Sequence, residues 1–151
     1  MPDNPSAPKA FTEVAPLLWS TDVGKILDWA TRTLGLVESW RADGDGEAAT
    51  VEHGELLWQP NQTRTGNRIT ISWSRDTYTA MGPSGISLRV DERAEIDRIH
   101  ARAVSQSADI IQGPEESPIA YSFTARDPDG NQWWVNAETG FLDELRRVAA
   151  D

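Results

Sequence analysis

The stretch Ser122-Phe-Thr-Ala-Arg-Asp-Pro-Asp-Gly-Asn-Gln-Trp-Trp-Val135 carries the clearest structural signal in the chain. It predicts two strands, Ile119–Arg126 and Asn131–Asn136, that are joined by the turn Asp127-Pro-Asp-Gly130. The proline of this turn fixes φ at the first central position, and the glycine can adopt the positive φ that closes a tight hairpin. The flanking residues include β-branched and aromatic types, which fit a pleated, half-buried surface. The stretch therefore predicts a β-hairpin.

A weaker copy of this pattern occurs earlier in the chain. The segment Glu52-His-Gly54-Glu-Leu-Leu-Trp58 places a tryptophan four residues after a glycine, as Gly130 and Trp134 do in the hairpin. We therefore interpret Gly54 as a turn glycine. The same comparison predicts that Trp58 and Trp134 occupy equivalent positions in two related units.

Composition limits the classes of protein to which the chain can belong. Its 151 residues are enough for one domain with a hydrophobic core, and 38% hydrophobic with 25% charged residues is typical of a globular protein. The absence of cysteine excludes disulfides, thiol catalysis and cysteine-based zinc sites. The net charge of −10 argues against nucleic acid or an anionic membrane surface as a partner. It is compatible with a cationic or neutral small-molecule ligand.

The two ends of the chain and its hydropathy predict a cytoplasmic protein. Residues 1–10 are polar and rich in proline, so they predict a disordered tail and contain no apolar core of a signal peptide. Residues 141–151, at the other end, predict a helix. No apolar run approaches the roughly 20 residues that span a bilayer, so we expect no insertion into a membrane.

The residues after the tail predict one order of elements twice. In the first half, Phe11–Ser20 predicts a strand, and Asp22 is a suitable N-cap for a helix. The apolar residues of this helix have i, i+3, i+4 spacing: Val23, Ile26, Leu27, Ala30 and Leu34. Three short strands are predicted next, at Leu36–Ala42, Glu47–His53 and Glu55–Gln59.

The second half repeats this order after about 70 residues. Ile86–Val90 predicts a strand, Asp91 caps a second helix, Ala108–Gln112 predicts another strand, and the hairpin supplies the last two. Between the halves, residues 61–83 form a connector. Within it, Arg68–Ser74 predicts an additional edge strand, because apolar residues alternate with polar ones.

The predicted domain, residues 11–140, thus contains two βαβββ modules, at residues 11–60 and 84–137. This order of elements, with Asp127-Pro-Asp-Gly-Asn131 near its end, resembles the vicinal oxygen chelate superfamily. The superfamily includes glyoxalases, extradiol dioxygenases, fosfomycin-resistance enzymes and bleomycin-resistance proteins. The resemblance covers about Val14–Ala137 and implies an α+β fold in which each module curves its sheet around a cleft.

The resemblance also implies where a metal would be bound. Metal-dependent members take ligands from the first and last strands of both modules, usually two histidines or glutamines and two glutamates. The matching positions in this chain are Ala15 and Gly85 on the first strands, and Trp58 (or Leu57, one position earlier) and Trp134 on the last strands. None of these residue types is a metal ligand, and His53 and His100 lie elsewhere. The resemblance and these substitutions together predict a site with no metal or other cofactor.

In the same geometry, Trp58 and Trp134 face each other across the pseudo-two-fold axis of the modules. Alternation along the strands adds five side chains to the same concave faces: Leu17, Trp19, Ser87, Arg89 and Gln132. An apolar pocket with a few polar anchors is typical of small-molecule sites, and indoles stack on planar ligands or bind cations. We therefore predict that the chain sequesters a planar or cationic small molecule, as antibiotic-binding members of the superfamily do.

The sequence leaves two alternatives open. The cleft can serve a metal-independent lyase, isomerase or hydrolase, with acid–base groups among carboxylates such as Glu52, Glu115 or Glu116, although no nucleophile–base arrangement is recognisable. Alternatively, the two indoles fill the cleft and the protein is a scaffold for a partner. We also expect a homodimer, as is common in the superfamily, because edge strands that are left open at the module boundary favour pairing.

Overall fold

The computed structural model describes residues 13–44, 51–59, 62–63 and 65–150. The predicted tail at residues 1–10 lies outside this range, as does the first part of the predicted strand Glu47–His53.

The described residues form two modules of the same topology. The first contains β1 (Leu17–Ser20), α1 (Val23–Leu34), β2 (Val37–Asp43), β3 (Val51–Leu57) and β4 (Arg68–Trp73), and α2 (Arg75–Met81) follows it. The second contains β5 (Gly85–Arg89), α3 (Arg93–Ser105), β6 (Asp109–Glu116), β7 (Ala120–Arg126) and β8 (Gln132–Glu138), and α4 (Gly140–Ala150) follows it. The strand orders are β1-β4-β3-β2 and β5-β8-β7-β6, with the first strand of each module parallel to the last. This confirms an α+β fold with two βαβββ modules.

The predicted hairpin is present as β7 and β8. Its glycine, Gly130, has a φ of 87° and donates its N–H to the carbonyl of Asp127 at 2.9 Å. The Asp127 carboxylate accepts the backbone N–H groups of Asp129 and Asn131, and it also accepts Asn131 Nδ2 and Trp133 Nε1, all at 2.9 Å. Burial raises the pKa of Asp127, and the hydrogen bonds from Trp133 and Asn131 oppose this shift. The turn is thus fixed by one buried carboxylate with four N–H donors.

The structure corrects the predicted strands of the first module. The segment predicted as an additional edge strand, Arg68–Ser74, forms β4, which lies between β1 and β3 and is the last strand of the module. The predicted connector at residues 61–83 therefore contains a core strand.

Gly54 is not in a turn, because it lies in the middle of β3 and pairs with Ile71 of β4. A Cβ at this position would collide with the side chain of Leu27 on α1, so the glycine allows α1 to pack closely on the sheet.

This correction changes which residue of the first module matches Trp134. Trp134 lies on β8 opposite Ser87 of β5, whereas Trp58 follows β3 and is not on a last strand. The position that matches Trp134 is Thr70, which lies on β4 opposite Leu17 of β1.

The N-cap of the second helix differs from the prediction, whereas that of the first agrees with it. The side chain of Asp22 accepts the N–H of Lys25 at 3.1 Å and caps α1, as predicted. Asp91 does not cap α3, because the N-cap position is occupied by Glu92, which makes no side-chain capping bond. The predicted C-terminal helix is present as α4.

One hydrophobic core joins the two modules. It contains apolar side chains from α1 and from both sheets, among them Leu27, Ile71, Phe123, Trp133 and Val135. The indoles of Trp29 on α1 and Trp133 on β8 lie 5.6 Å apart between ring centroids. Since side chains alternate along a strand, the intervening residues Thr70, Ser72 and Trp134 lie on the opposite, helix-free faces of the sheets.

Polar contacts at the module boundary fix the relative position of the two halves. Asp129 in the hairpin turn accepts the hydroxyl of Ser20 at 2.5 Å and that of Thr21 at 3.1 Å. The hydroxyl of Tyr78 on α2 donates to the carbonyl of Asp129. Burial raises the pKa of Tyr78, and the neighbouring Asp129 adds to this shift. The first module and α2 are thereby attached to the turn of the second module.

Candidate functional site

A cavity of about 470 Å³ lies between the two modules. Most of its lining is aliphatic, including Leu34, Leu36, Ile69, Ile86, Leu88 and Ile99. Trp58 is the aromatic residue among the lining residues that the structure describes, and its side chain is 39% exposed. A concave, mostly apolar site of this size is in the range of ligand pockets, which is roughly 300–1,000 Å³.

The local structure explains why this region stays open. Gly35 ends α1, so Leu34 at the end of the helix and Leu36 before β2 form one wall of the cavity. β5 forms the other wall, and among the strands that the structure describes it is an edge strand, paired with β8. Arg102 on α3 donates to the carbonyls of Arg32 and Thr31, at 2.9 and 3.1 Å, and so holds α3 against the end of α1.

Ser87 and Arg89 of β5 border the cavity, and their side chains make polar contacts on the helix-free face of the second sheet. Ser87 accepts a hydrogen bond from Nδ2 of the buried Asn136 at 3.0 Å. The guanidinium of Arg89 lies 3.2 Å from a carboxylate oxygen of Glu138, and the Arg89 side chain is 57% exposed. Arg146 on α4 also binds this carboxylate, at 3.0 and 3.3 Å. Arg146 lowers the pKa of Glu138, with a smaller contribution from Arg89.

Three of the seven predicted site residues line this cavity: Trp58, Ser87 and Arg89. The other four, Leu17, Trp19, Gln132 and Trp134, lie on the helix-free faces of the sheets, outside its lining. Ser87 and Arg89 border the cavity, but their side chains share the helix-free face of the second sheet with Trp134, since Ser87 pairs with Trp134 and Arg89 with Asn136. The cavity therefore does not bring Trp58 and Trp134 together. The prediction that they face each other assumed that Trp58 is on the last strand of its module, and that strand is β4.

A second polar group of residues lies on the helix-free face of the first sheet. His53 Nδ1 and Ser72 Oγ are 3.1 Å apart across the β3–β4 pair, and Ser72 is buried. Two residues along β3, the fully buried Glu55 accepts the hydroxyl of Ser39 at 2.6 Å and the guanidinium of Arg68 at 3.1 Å. Arg68 also binds Glu13, at 2.9 and 3.0 Å.

Sequence reasoning missed this second group because it predicts Arg68–Ser74 as an edge strand outside both modules, whereas β4 lies between β1 and β3. The alternation of β4 places Arg68, Thr70 and Ser72 on one face, but it does not indicate which strands pair with that strand. The predicted acid–base carboxylates lie elsewhere. Glu115 and Glu116 on β6 bind Gln112 at 2.7 Å and Arg93 at 2.9 Å, respectively. Glu52 lies on β3, and none of the three lines the cavity.

The residues at the implied metal positions do not fit a metal ion. With β4 as the last strand of the first module, these positions are Ala15, Gly85, Thr70 and Trp134. A catalytic metal site needs nitrogen, oxygen or sulfur donors from about three side chains, and this set supplies one hydroxyl. Within residues 13–44, 51–59, 62–63 and 65–150, no group of three His, Cys, Asp or Glu side chains could hold a metal ion.

Comparison with protein families decides the classification of the chain. The model of the glyoxalase/bleomycin resistance protein/dioxygenase superfamily matches residues 12–135. The chain belongs to this superfamily. A comparison with curated proteins gave no match. In the part of this superfamily member that the structure describes, no helix is long and apolar enough to cross a membrane.

Several solved structures have the same fold as this superfamily member. TioX from Micromonospora sp. ML1 is 20% identical, with a TM-score of 0.65, and the match covers 85% of this chain and 100% of TioX. A glyoxalase-related enzyme from Clostridium phytofermentans is 16% identical, with a TM-score of 0.67 and coverage of 87% and 100%. Lactoylglutathione lyase from Agrobacterium tumefaciens is 18% identical, with a TM-score of 0.63 and coverage of 89% and 96%. At these identities the similarity concerns the fold.

Proposed function

We propose that the protein binds a small molecule with a planar, largely apolar body in the cavity between its modules, and that it holds this molecule without converting it. The observation that carries the proposal is the cavity of about 470 Å³ with Trp58 in its aliphatic lining. An indole that stacks on a planar ligand contributes roughly 0.5–1.5 kcal/mol beyond the burial of area. The superfamily fold supports the proposal only in general terms, because it serves both binding proteins and enzymes.

Between the two ligand types that the sequence predicts, the cavity favours the planar one over the cationic one. The lining residues that the structure describes include no acidic side chain that could bind a cation. The overall charge of −10 attracts cations to the surface as a whole. This net charge does not provide a specific cation site in the cavity.

A neutral planar probe tests the proposal. N-phenyl-1-naphthylamine becomes fluorescent in apolar sites, and we expect saturable binding of about one molecule per chain. Replacement of Trp58 by Ala should weaken this binding by roughly three- to tenfold, since 1.4 kcal/mol corresponds to a factor of ten. Trp73→Ala is the matched control, because Trp73 is 43% exposed and lies outside the cavity. Absence of saturable binding, or equal losses in both variants, would contradict the proposal.

A second candidate function, a metal-independent hydrolase, rests on the 3.1 Å contact between His53 and Ser72. A hydroxyl at hydrogen-bond distance from an imidazole can transfer its proton to the ring as the oxygen attacks an acyl carbon. Hydrolysis of p-nitrophenyl acetate tests this function. We expect His53→Gln and Ser72→Ala to lose any activity that His100→Gln retains. Equal rates in all four proteins would exclude a role for the pair.

A further inference from the structure

We infer that the ligand of the cavity carries a lactam-type group, a ring N–H beside a ring C=O, and that the backbone of Ser87 on the free edge of β5 binds both. The inference rests on the proposed function, because it concerns the same cavity. It adds the polar chemistry of the ligand and the protein groups that recognise it.

Ser87 and Arg89 border the cavity with their backbone. Side chains alternate along a strand, and those of Ile86 and Leu88 line the cavity from the helix-covered face of the second sheet. The side chains of Ser87 and Arg89 lie on the opposite face, where the hydroxyl of Ser87 accepts Nδ2 of Asn136. These two residues therefore present main-chain groups to the cavity rather than a hydroxyl or a guanidinium.

The hydrogen bonds between β5 and β8 decide which backbone groups of β5 are available. Gln132 donates its N–H to the carbonyl of Ser84 at 2.9 Å, and Val90 donates to the carbonyl of Asn136 at 2.8 Å. Backbone groups of successive residues in a strand point to alternate edges, so the even-numbered residues from Ser84 to Val90 face β8. The N–H and C=O groups of the odd-numbered residues, Ser87 among them, face the other edge. Among the strands that the structure describes, none pairs with β5 on that edge.

A free edge beside an apolar cavity favours a ligand that completes the hydrogen bonds of the edge. Unpaired N–H and C=O groups of an edge strand bind complementary groups in an extended arrangement. In an antiparallel pair, the N–H and C=O of one residue bond the same two groups of the residue opposite. A lactam presents an N–H and a C=O side by side in the plane of its ring, so it can take the place of a residue opposite Ser87. Its apolar ring then meets the aliphatic lining of the cavity.

The free edge of β5 is also open to a second copy of the chain, and one edge cannot serve both uses at once. The inference therefore requires that a homodimer pairs through another surface. The strand β1 also has an unpaired edge among the described strands, and pairing of two copies there leaves β5 accessible. The cavity of about 470 Å³ beside β5 has the size of a small-molecule site, which favours a ligand at this edge.

Two probes that differ by one methyl group test the inference. 2-Quinolone is a planar lactam, and N-methyl-2-quinolone lacks the N–H donor. We expect the lactam to displace N-phenyl-1-naphthylamine at a roughly two- to tenfold lower concentration than its methyl derivative, which is the usual range for one neutral hydrogen bond. Burial of apolar area alone predicts the reverse order, because the methyl group adds apolar area to the probe.

A proline in place of Ser87 removes the N–H donor and leaves the hydrogen bonds to β8 in place. Proline is tolerated in an edge strand where its nitrogen faces outward. Ser87→Pro should weaken binding of 2-quinolone roughly two- to tenfold and leave that of N-phenyl-1-naphthylamine unchanged. Circular dichroism and unfolding midpoints show whether the variant is folded.

Two control variants isolate the N–H group. Ser87→Ala removes the hydroxyl and keeps the N–H. Gly85→Pro is the matched control for the proline, because Gly85 lies on the same edge, outside the cavity lining, and its position has room for a side chain. Neither variant should change the binding of either probe.

The outcomes separate the inference from the proposed function. If N-phenyl-1-naphthylamine binds and depends on Trp58, but 2-quinolone has no advantage over its methyl derivative, the inference is wrong and the proposed function stands. The same holds if Ser87→Pro weakens 2-quinolone and N-phenyl-1-naphthylamine equally. If Ser87→Pro does not fold, the comparison of the two quinolones in the wild type decides.

Two further results would also overturn the inference. If binding of 2-quinolone weakens as the protein dimerises at rising concentration, β5 is the edge through which two copies pair, and the inference is wrong. If N-phenyl-1-naphthylamine does not bind saturably, or its binding is insensitive to Trp58→Ala, the proposed function fails and the inference fails with it.

Discussion

Replacement of Asp127 by Asn should strongly destabilise the protein, although the two side chains have almost the same shape. The carboxylate of Asp127 is buried, and each of its oxygens accepts two N–H groups. One end of an asparagine amide is itself a donor. In one orientation it faces Asn131 Nδ2 and Trp133 Nε1, and in the other it faces the backbone N–H groups of Asp129 and Asn131. Two donors lose their acceptor in either case, and at least one of them is buried.

The size of the effect follows from this count of donors. A buried donor without an acceptor costs about 1–3 kcal/mol, so Asp127→Asn should lower the free energy of unfolding by about 2–6 kcal/mol. Urea unfolding, followed by tryptophan fluorescence, measures this as a shift of the midpoint by at least about 0.7 M, given an m-value of roughly 1–3 kcal/mol/M. The control is Asp109→Asn on β6, whose exposed ion pair with Arg126 is worth at most about 1 kcal/mol.

One result would refute this reasoning. Burial raises the pKa of Asp127, and a carboxyl group that is protonated in the folded protein already presents one donor to the site. An amide would then be a close substitute for it. A loss below about 1 kcal/mol would therefore mean that Asp127 is neutral when the protein is folded, and that the turn does not depend on a carboxylate with four donors.

Four further predictions follow from the fold and the site. Gly54→Ala should cost about 1–3 kcal/mol in urea unfolding, since the new Cβ collides with Leu27 and overpacking has about this cost; a neutral effect would mean that α1 shifts freely. Trp133→Ala should lower the free energy of unfolding by about 3–5 kcal/mol, because the indole of Trp133 is fully buried. Trp134→Ala should lower it clearly less, and equal losses would mean that Trp134 fills a packed core. Elemental analysis of the purified protein should detect no stoichiometric divalent metal, and one tightly bound ion per chain would contradict this. We propose a homodimer, because β1 and β5 each pair on one side only among the strands that the structure describes; sedimentation as a monomer at micromolar concentrations would argue against it.

The sequence by itself determined the elements whose signals are local. The proline and glycine of the Asp127–Asn131 turn set the backbone angles of that turn directly, so the hairpin was predictable to within one or two residues. Asp22 and the 3.6-residue apolar period gave α1 in the same way, because capping and amphipathicity act within a few residues. Two such local patterns in the same order were enough to predict both modules and the superfamily.

Only the tertiary structure decided the features that depend on contacts between distant segments. Gly54 looked like a turn glycine, but it is required where Leu27 of α1 packs on β3, and nothing in the neighbouring residues indicates that contact. The segment Arg68–Trp73 became a core strand because β1 pairs with it in parallel across about 50 residues of chain. The cavity likewise exists because α1, β5 and the end of β3 meet, which places Trp58 in its lining and leaves Trp134 on another face. These contacts depend on how a whole layer of helices and strands packs. No single stretch of the sequence therefore encodes them.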